Sequence, residues 1–319
     1  MCSSDLIWGK EMSKILVTGG AGFIGSHLVE YHLDRGDEVR VVDDLSTGTA
    51  DNVQLFSKNK NYDFREGDIV DWEGMKETVE WAECIYHMAS LVGMMKVMED
   101  PLRVLTVNVN GTERILKFMN PLQKIIVASS SEVYSVASGD RFNHARWNYA
   151  ISKLTTEALA LSYGQKNDLD VCVVRIFNTI GKRQKGHYGM VVPRFVRAAV
   201  RGDDIEVFGD DGEQVRCFCD VEDTVVMLHK LAEASSSGMT FNVGSNHPIS
   251  ILDLAITIRK LAKSESSVVF VPYEIAYPEG YEDVRERIPD LNSLFEFLSF
   301  KPKWKLSDTL AKLIKKEKK

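Results

Sequence analysis

Long apolar runs are missing from this chain. A membrane-spanning helix needs roughly 18 consecutive apolar residues, and no segment approaches that length. A basic start followed by a short apolar stretch, the pattern of a secretory signal, is missing as well. We therefore expect neither a membrane protein nor a secreted one.

Cysteine is scarce, and positive charge is not in excess. The five cysteines are scattered, and Cys217-x-Cys219 has no second Cys or His pair at zinc-binding spacing. This argues against a disulfide framework and against a metal site, and it favours a reducing compartment, the cytoplasm. The formal net charge of −7 argues against a nucleic-acid-binding protein, which normally has a basic face.

The remaining composition is that of a globular protein. Apolar residues make up 44% and charged residues 27% of the 319 residues, which suffices for one large domain and a smaller one. Residues 1–12 contribute no pattern, and we interpret them as a non-native or disordered tail.

Short apolar segments alternate with helical patterns in residues 13–178. This alternation is typical of βαβ units and predicts an α/β fold, a Rossmann-type doubly wound parallel sheet with helices on both faces. The predicted strands are 14–18, 38–42, 62–65, 84–87, 124–129 and 170–177, and the predicted helices are 22–35, 71–81, 101–118 and 146–165.

The pattern changes after residue 178, where glycine and charged residues become more frequent and the strands shorten. We interpret residues 179–319 as a smaller C-terminal α/β lobe that binds the substrate. Its predicted strands are 205–208, 239–243 and 268–271, and its predicted helices are 193–201, 222–234, 251–262 and 292–298.

Three glycines, Gly19, Gly22 and Gly25, follow the first predicted strand. Their spacing alone is a weak signal, but it lies between a strand and a helix, the context that a dinucleotide-binding turn requires. There the glycines permit a tight turn, the close approach of a pyrophosphate and the close packing of helix on strand. The helix N-terminus offers unpaired N–H groups to the phosphates.

Asp43 ends the second predicted strand. A carboxylate at that point accepts hydrogen bonds from a ribose diol and repels a 2′-phosphate, and no arginine follows it in Asp44-Leu-Ser-Thr-Gly48. The pattern therefore favours NAD over NADP, and residues 13–178 are predicted to be an NAD-binding domain. A solvated strand end is the alternative for Asp43 taken alone.

Tyr149 and Lys153 lie one turn apart on the predicted helix 146–165, so they share a face. A phenol with a pKa of about 10 is a weak base at neutral pH. A neighbouring lysine and an oxidised nicotinamide both favour its ionised form. Tyr-x-x-x-Lys is common by chance, but here Ser129-Ser-Ser131 ends the preceding strand, and such strand ends face the ligand crevice. We therefore predict catalysis by Tyr149 and Lys153.

With these residues in place, the chain resembles the extended short-chain dehydrogenase/reductase family, in particular its NAD-dependent nucleotide-sugar epimerases, dehydratases and decarboxylases. The resemblance covers residues 14–310. It is carried by segments 18–25, 43–44, 67–69, 87–90, 129–134, 149–153, 175–178, 192–195, 216–220 and 287–290.

The resemblance implies roles for individual residues. Ser130 and Tyr149 would hydrogen-bond the sugar 4-hydroxyl, and Tyr149 would take its proton while C4 is oxidised. The implied cofactor-binding residues are Gly19, Gly22, Phe23, Ile24, Gly25, Asp43, Asp68, Ile69, Ala89, Tyr149 and Lys153. The residues implied to hold the nucleoside diphosphate of the substrate are Asn178, Val192, Arg216 and Arg287.

Glu132 indicates which reaction follows oxidation at C4. In similar 4-epimerases this position is usually small or neutral, whereas 4,6-dehydratases and UDP-glucuronate decarboxylases usually carry Glu, often preceded by Ser in the decarboxylases. Ser131-Glu132, Trp147 and segment 280–290 with Arg287 therefore favour conversion of UDP-glucuronate to UDP-xylose, with Glu132 and Arg287 catalytic.

Two features fit other reactions. Residues 91–116 are more similar to the UDP-sugar 4-epimerases, of the UDP-glucose/galactose or UDP-glucuronate type, and the segment between Tyr134 and Tyr149 is short for a decarboxylase. A UDP-sugar 4-epimerase is the first alternative, and a 4,6-dehydratase the second. A non-catalytic NAD-sensing regulator on this fold would be expected to lack both Tyr149 and Lys153.

The resemblance also implies an assembly. Family members commonly pair through the helices that correspond to 101–118 and 146–165. We therefore expect a homodimer that pairs through a four-helix bundle.

Overall fold

The computed structural model describes residues 13–92, 97, 99–136, 147–186, 190–277 and 284–319. The predictions for residues 1–12, for a helix start at Arg146 and for segment 280–283 lie outside the described residues. Helices and strands are numbered below in chain order.

A seven-stranded sheet forms the centre of the molecule. Its order is β11-β6-β5-β4-β1-β2-β3, and each neighbouring pair is parallel. This confirms the predicted doubly wound Rossmann-type fold. The strands are β1 (Lys14–Thr18), β2 (Glu38–Asp43), β3 (Tyr62–Glu66), β4 (Cys84–His87), β5 (Lys124–Ser130), β6 (Asp170–Ile176) and β11 (Thr240–Val243).

Both faces of the sheet are covered because its central strands are apolar throughout. Successive residues of β1 point to opposite faces, so Val17 packs in one core with Leu28, and Leu16 packs in the other with Met75. The helices of this part of the chain are α1 (Phe23–Asp34), α2 (Ala50–Gln54), α3 (Met75–Trp81), α4 (Pro101–Leu105), α5 (Gly111–Phe118) and α6 (Asn148–Asn167).

The predicted helix 101–118 contains an irregularity. A π-helical turn at Thr106–Asn110 joins α4 to α5. Such turns are rare overall, and those that occur often lie at functional sites. Here the turn carries Asn108, whose side chain is buried next to the site described below.

The later part of the chain adds small sheets and a third core. Phe195, Ile205, Leu254 and Leu310 are buried together there. Its elements are β7 (Thr179–Ile180), α7 (Val191–Arg201), β8 (Ile205–Phe208), β9 (Val215–Cys217), β10 (Cys219–Asp220), α8 (Val221–Glu233), β12 (Pro248–Ser250), α9 (Ile251–Ala262), β13 (Val268–Val271), α10 (Tyr273–Ala276), β14 (Glu286–Arg287), α11 (Asn292–Leu298) and α12 (Leu306–Glu317).

The chain returns to the large sheet after residue 178. β11 is the edge strand beside β6, and Leu228 of α8 shares a core with Leu28 of α1. The division into residues 13–178 and 179–319 stays a prediction. Within the described ranges, no helix is both long enough and apolar enough to cross a bilayer.

Candidate active site

A cavity of about 540 Å³ lies at the carboxyl edge of the large sheet. Parallel strands bring their carboxyl ends to one edge, so side chains far apart in sequence meet there. The structure brings all the predicted site residues together in the lining of this cavity. They are Gly19, Gly22, Phe23, Ile24, Gly25, Asp43, Asp68, Ile69, Ala89, Ser130, Glu132, Tyr149, Lys153, Asn178, Val192, Arg216 and Arg287.

The glycine turn has no room for side chains. A Cβ on Gly25 would lie 2.1 Å from the carbonyl oxygen of Gly19, and Gly19 itself has a φ of +72°. Gly22 precedes the first residue of α1 and has no side chain to cap its N–H groups. The first turn of α1 therefore presents free backbone donors and the positive end of the helix dipole to the cavity, which fits a pyrophosphate.

Asp43 is buried rather than solvated. Its carboxylate accepts hydrogen bonds from the N–H groups of Ala21, at 3.0 Å, and Leu45, at 2.9 Å. Burial raises its pKa, while these two hydrogen bonds act in the opposite direction. The alternative of a solvated strand end is therefore wrong. Asp43 holds the glycine turn against β2, and its carboxylate has further acceptor sites for a ribose diol.

The segment with Asp68 and Ile69 is held by two arginines that the sequence did not indicate. Arg103 of α4 forms an ion pair with Asp68. Arg114 of α5 donates to the carbonyl oxygens of Ile69, at 3.3 Å, and Trp72, at 2.8 Å. The helix segment 101–118 therefore positions one end of the predicted cofactor site.

His87 lies behind the cavity as a neutral imidazole. Burial, and to a lesser extent the charge of Lys153, lower its pKa to about 3. Thr112 donates to the carbonyl oxygen of Asn108, so it accepts from Nε2 of His87 at 2.9 Å, and Nδ1 of His87 accepts from Thr18 at 2.8 Å. The network satisfies the buried ring and joins β1 to the π-helical turn.

Asn108 links that turn to the predicted catalytic helix. Its amide donates to the hydroxyl of Ser152 at 2.9 Å, and Ser152 donates to the carbonyl oxygen of Tyr149 at 2.7 Å. The side-chain oxygen of Asn108 accepts from the N–H of Leu91 and the hydroxyl of Ser90, both at 3.0 Å. Nothing in the sequence pattern singled out Asn108, because an asparagine inside a helix has no local signature.

Lys153 is buried, Tyr149 is half-buried, and both face the carboxyl end of β5. Burial raises the pKa of Tyr149 to about 12, against a hydrogen bond from the Ser130 side chain that lowers it. Burial lowers the pKa of Lys153 to about 8, and Lys153 donates to the carbonyl oxygen of Ala128 at 2.7 Å. A positive nicotinamide ring beside this phenol would reverse part of the burial effect.

The side chain of Ser129 bonds Glu157 rather than Tyr149 or Lys153. Its hydroxyl donates to the buried carboxylate of Glu157 at 2.5 Å. Glu157 also accepts three hydrogen bonds from Arg175. Ser129 and Ser130 end β5, and Ser131 follows it. Ser130 is the serine whose side chain hydrogen-bonds Tyr149.

Glu132 and Arg287 form an ion pair at the edge of the cavity, with Nη1 of Arg287 2.6 Å from Oε1 of Glu132. Arg287 is the register partner of Arg216 across the parallel strands β14 and β9, and both arginines line the cavity. Asn178 donates to the carbonyl oxygen of Cys217 on β9 at 3.2 Å. The cavity thus joins a carboxylate–arginine pair to a positively charged edge.

Aromatic side chains that the sequence patterns did not indicate line the far end of the cavity. Phe208, Tyr273 and Tyr277 line it. The guanidinium carbon of Arg194 lies 3.5 Å from the centroid of Phe208, and Gln214 donates to the hydroxyl of Tyr273 at 2.5 Å. These residues come from separate small elements, and only their aromatic character could have indicated them.

Lys153→Met is expected to stabilise the protein near pH 7. The folded pKa of about 8 lies below the unfolded value of about 10.4, so the unfolded state binds more protons between these values. The buried charge therefore lowers stability below about pH 8, and this cost disappears as pH rises toward 10.4. Urea unfolding should show the variant more stable by roughly 1–3 kcal/mol near pH 7, with a smaller difference near pH 10. Equal stability of the two proteins at both pH values would contradict this.

Comparison with known proteins decides the family. The model of the NAD dependent epimerase/dehydratase family matches residues 15–244. The chain belongs to this family. The predicted family, enzyme class and NAD cofactor are thereby confirmed, and the glycine turn, the free N-terminus of α1 and Asp43 fit that cofactor.

Individual relatives indicate the reaction class. A UDP-N-acetyl-alpha-D-glucosaminuronate decarboxylase of Bacillus cytotoxicus is 38% identical over 301 residues, 91% of this chain and 92% of that protein. UDP-glucuronic acid decarboxylase 4 of Arabidopsis thaliana is 31% identical over 96% of this chain and 69% of that protein.

A solved structure also resembles the whole chain. The UDP-glucuronic acid 4-epimerase of Bacillus cereus, in complex with UDP-glucuronic acid and NAD, has a TM-score of 0.82 and 25% identity, and the match covers 95% of this chain and 99% of that one.

Within the described ranges, His, Cys, Asp and Glu side chains form no group that could hold a metal ion.

Proposed function

We propose that this protein is a UDP-glucuronate decarboxylase that forms UDP-xylose through a 4-keto intermediate. The observation that carries the proposal is the Glu132–Arg287 ion pair beside Ser130 and Tyr149, in one cavity. The two decarboxylase relatives support it.

The first step is oxidation at C4 of the sugar. NAD, when bound, would supply the hydride acceptor for this oxidation and the hydride donor for the later reduction at the same carbon. Ser130 hydrogen-bonds Tyr149 and would share the 4-hydroxyl with it, so that Tyr149 removes the hydroxyl proton. Lys153 carries a positive charge into this buried site, which favours the phenolate form of Tyr149.

The second step is loss of the C5 carboxylate. The C5–C6 bond breaks, its electron pair moves onto C5 and the 4-keto oxygen, and CO₂ leaves. Arg287 would orient the carboxylate, because a guanidinium fork pairs two carboxylate oxygens. Glu132 holds Arg287, and its negative charge beside the carboxylate favours departure as neutral CO₂. C5 then takes a proton from water, and Tyr149 returns its proton to the 4-oxygen as C4 is reduced.

The remaining site residues would hold the two nucleotides. The glycine turn, the N-terminus of α1, Asp43, Asp68, Ile69 and Ala89 would bind NAD. Arg216 and Arg287 would bind the diphosphate of the substrate together with Asn178 and Val192. The aromatic end at Phe208 suits a nucleobase, since every base offers a flat face for stacking.

UDP-N-acetylglucosaminuronate is a second candidate substrate. The Bacillus cytotoxicus decarboxylase of that substrate is 38% identical to this chain, against 31% for the Arabidopsis thaliana relative. Both substrates carry the same C5 carboxylate and require the same two steps. The 4-epimerase alternative rests on the similarity to solved epimerases.

The proposed function has a direct test. The protein is incubated with NAD and either UDP-glucuronate or UDP-N-acetylglucosaminuronate, and the product mass and released CO₂ are measured. We expect CO₂ and a UDP-pentose from UDP-glucuronate. Conversion of UDP-glucuronate to an isomer of equal mass would establish the 4-epimerase instead. Release of CO₂ from the N-acetylated substrate alone would establish the second candidate.

We also propose a homodimer, in the cytoplasm, that pairs in a four-helix bundle through α6 and segment 101–118, which comprises α4, the π-helical turn and α5. Leu102 on α4 is 73% exposed and Leu154 on α6 is 41% exposed, as expected for a surface that a second copy covers. Light scattering during size-exclusion chromatography should give twice the monomer mass. Leu102→Glu should shift the protein toward the monomer.

A further inference from the structure

A second cavity, of about 650 Å³, adjoins the active-site cavity. Ser131, Phe177 and Arg287 line both cavities, so the segments that carry Glu132 and Arg287 border open space. Because close packing alone does not determine the distance between these two segments, hydrogen bonds must determine that distance.

Asn242 on the edge strand β11 connects the two segments. Its side-chain oxygen accepts from the hydroxyl of Tyr134 at 2.8 Å, and its amide donates to the carbonyl oxygen of Asp290 at 3.0 Å. Tyr134 lies in the same 3₁₀ helix as Glu132, Ser131–Val136. Asp290 follows β14, which ends at Arg287. One residue of the sheet thus contacts a side chain two residues from Glu132 and the backbone three residues from Arg287.

Arg175 anchors this connection to the catalytic helix. Its Nη1 donates to the hydroxyl of Tyr134 at 2.9 Å, and its Nε and Nη2 donate to the two carboxylate oxygens of Glu157 at 2.9 and 2.6 Å. Glu157 is buried on α6, the helix that carries Tyr149 and Lys153. A two-point, charge-assisted contact of this kind is strong and has a defined direction.

We propose that Tyr134 and Asn242 are positioning residues for the Glu132–Arg287 pair. They align that pair with Tyr149, and so govern loss of CO₂ rather than oxidation at C4. This inference rests on the proposed decarboxylase function. Tyr134 is 51% exposed, so we assign its positioning role to the hydroxyl rather than to buried packing of the ring.

Tyr134→Phe is the main test, because it removes the hydroxyl and keeps the ring against Phe177 and Arg175. We expect the rate of CO₂ release to fall about tenfold, since small misplacements of reacting groups have effects of this size. Oxidation at C4 should continue at the wild-type rate. A larger fraction of turnovers should therefore end with released UDP-4-keto-glucuronate, measured by mass spectrometry after a single turnover. KM for UDP-glucuronate should stay within about a factor of two.

Asn242→Ala removes the same connection from the other side. If the two residues act through one contact, the effects of the single variants on this product ratio should not add in the double variant. Tyr163→Phe is the matched control. Its hydroxyl bonds Glu113 at 3.2 Å, away from the cavity, so the product ratio should not change.

The outcomes separate the inference from the proposed function. A wild-type protein that releases no CO₂ from either UDP-hexuronate overturns both. If the wild type releases CO₂ and Tyr134→Phe has the wild-type product ratio, only the inference fails. If Tyr134→Phe lost oxidation at C4 and CO₂ release equally and had a lowered Tm, the role of Tyr134 would be merely structural. That result would also overturn the inference.

Discussion

Tyr149→Phe is expected to lower kcat by about 10³-fold, whichever UDP-sugar is the substrate, because it removes the group that we propose as the general base of the first step. The ring that remains fills the buried site, so the fold and nucleotide binding should persist. The phenol is the group that Ser130 contacts, and a neighbouring serine cannot take over the proton at neutral pH. Turnover should be measured with saturating UDP-glucuronate and NAD.

Affinity for UDP and for NADH, measured by calorimetry, supplies the control for this variant. Unchanged affinities with lost turnover would identify a group that acts in the chemical step. A variant that keeps turnover within about tenfold of the wild type would contradict the assignment of Tyr149 as base.

Arg287→Gln is expected to lower kcat/KM for CO₂ release by about 10²–10³-fold. Removing the guanidinium takes away the group that would orient the substrate carboxylate, and it leaves Glu132 unpaired, so that its negative charge opposes binding of that carboxylate. Binding of the diphosphate should weaken as well, because Arg216 loses its cross-strand neighbour. Steady-state CO₂ release over a range of UDP-glucuronate concentrations measures both effects.

Arg285→Gln is the matched control, two residues earlier in the chain. Arg285 is exposed, pairs with Asp211 and does not line the active-site cavity, so loss of its charge should leave CO₂ release near the wild-type rate. If Arg287→Gln behaved like this control, Arg287 would have no part in the reaction. If it changed only KM, its role would be confined to binding.

Much of the site could be predicted because it depends on local chemistry. The glycine turn must follow a strand and precede a helix, and Gly19, Gly22 and Gly25 do so. Asp43, Asp68, Ala89, Ser130 and Asn178 stand at or just after strand ends, where a parallel sheet places its ligands. Tyr149 and Lys153 share a face because a helix turn is about four residues.

Other features could not be predicted, since they depend on contacts between distant segments. The sequence contains no signal that Arg103 and Arg114 hold the Asp68 segment, or that Asn108 reaches Ser152. The return of β11 to the large sheet was also unexpected, because β11 is short and follows a change in pattern at residue 178. Burial of Asp43 likewise appears only in the folded chain.

The sequence by itself determined the fold class, the glycine turn and the shared helix face of Tyr149 and Lys153, because strand–helix alternation, turn chemistry and helical spacing are local properties of the chain. Only the tertiary structure decided that Arg287 meets Glu132 across 155 residues, and that Asn242 lies between their segments. It also decided that Lys153 is buried, with a lowered pKa. Such pairings and burials follow from how the elements pack, and local periodicity carries no information on which distant segments will meet.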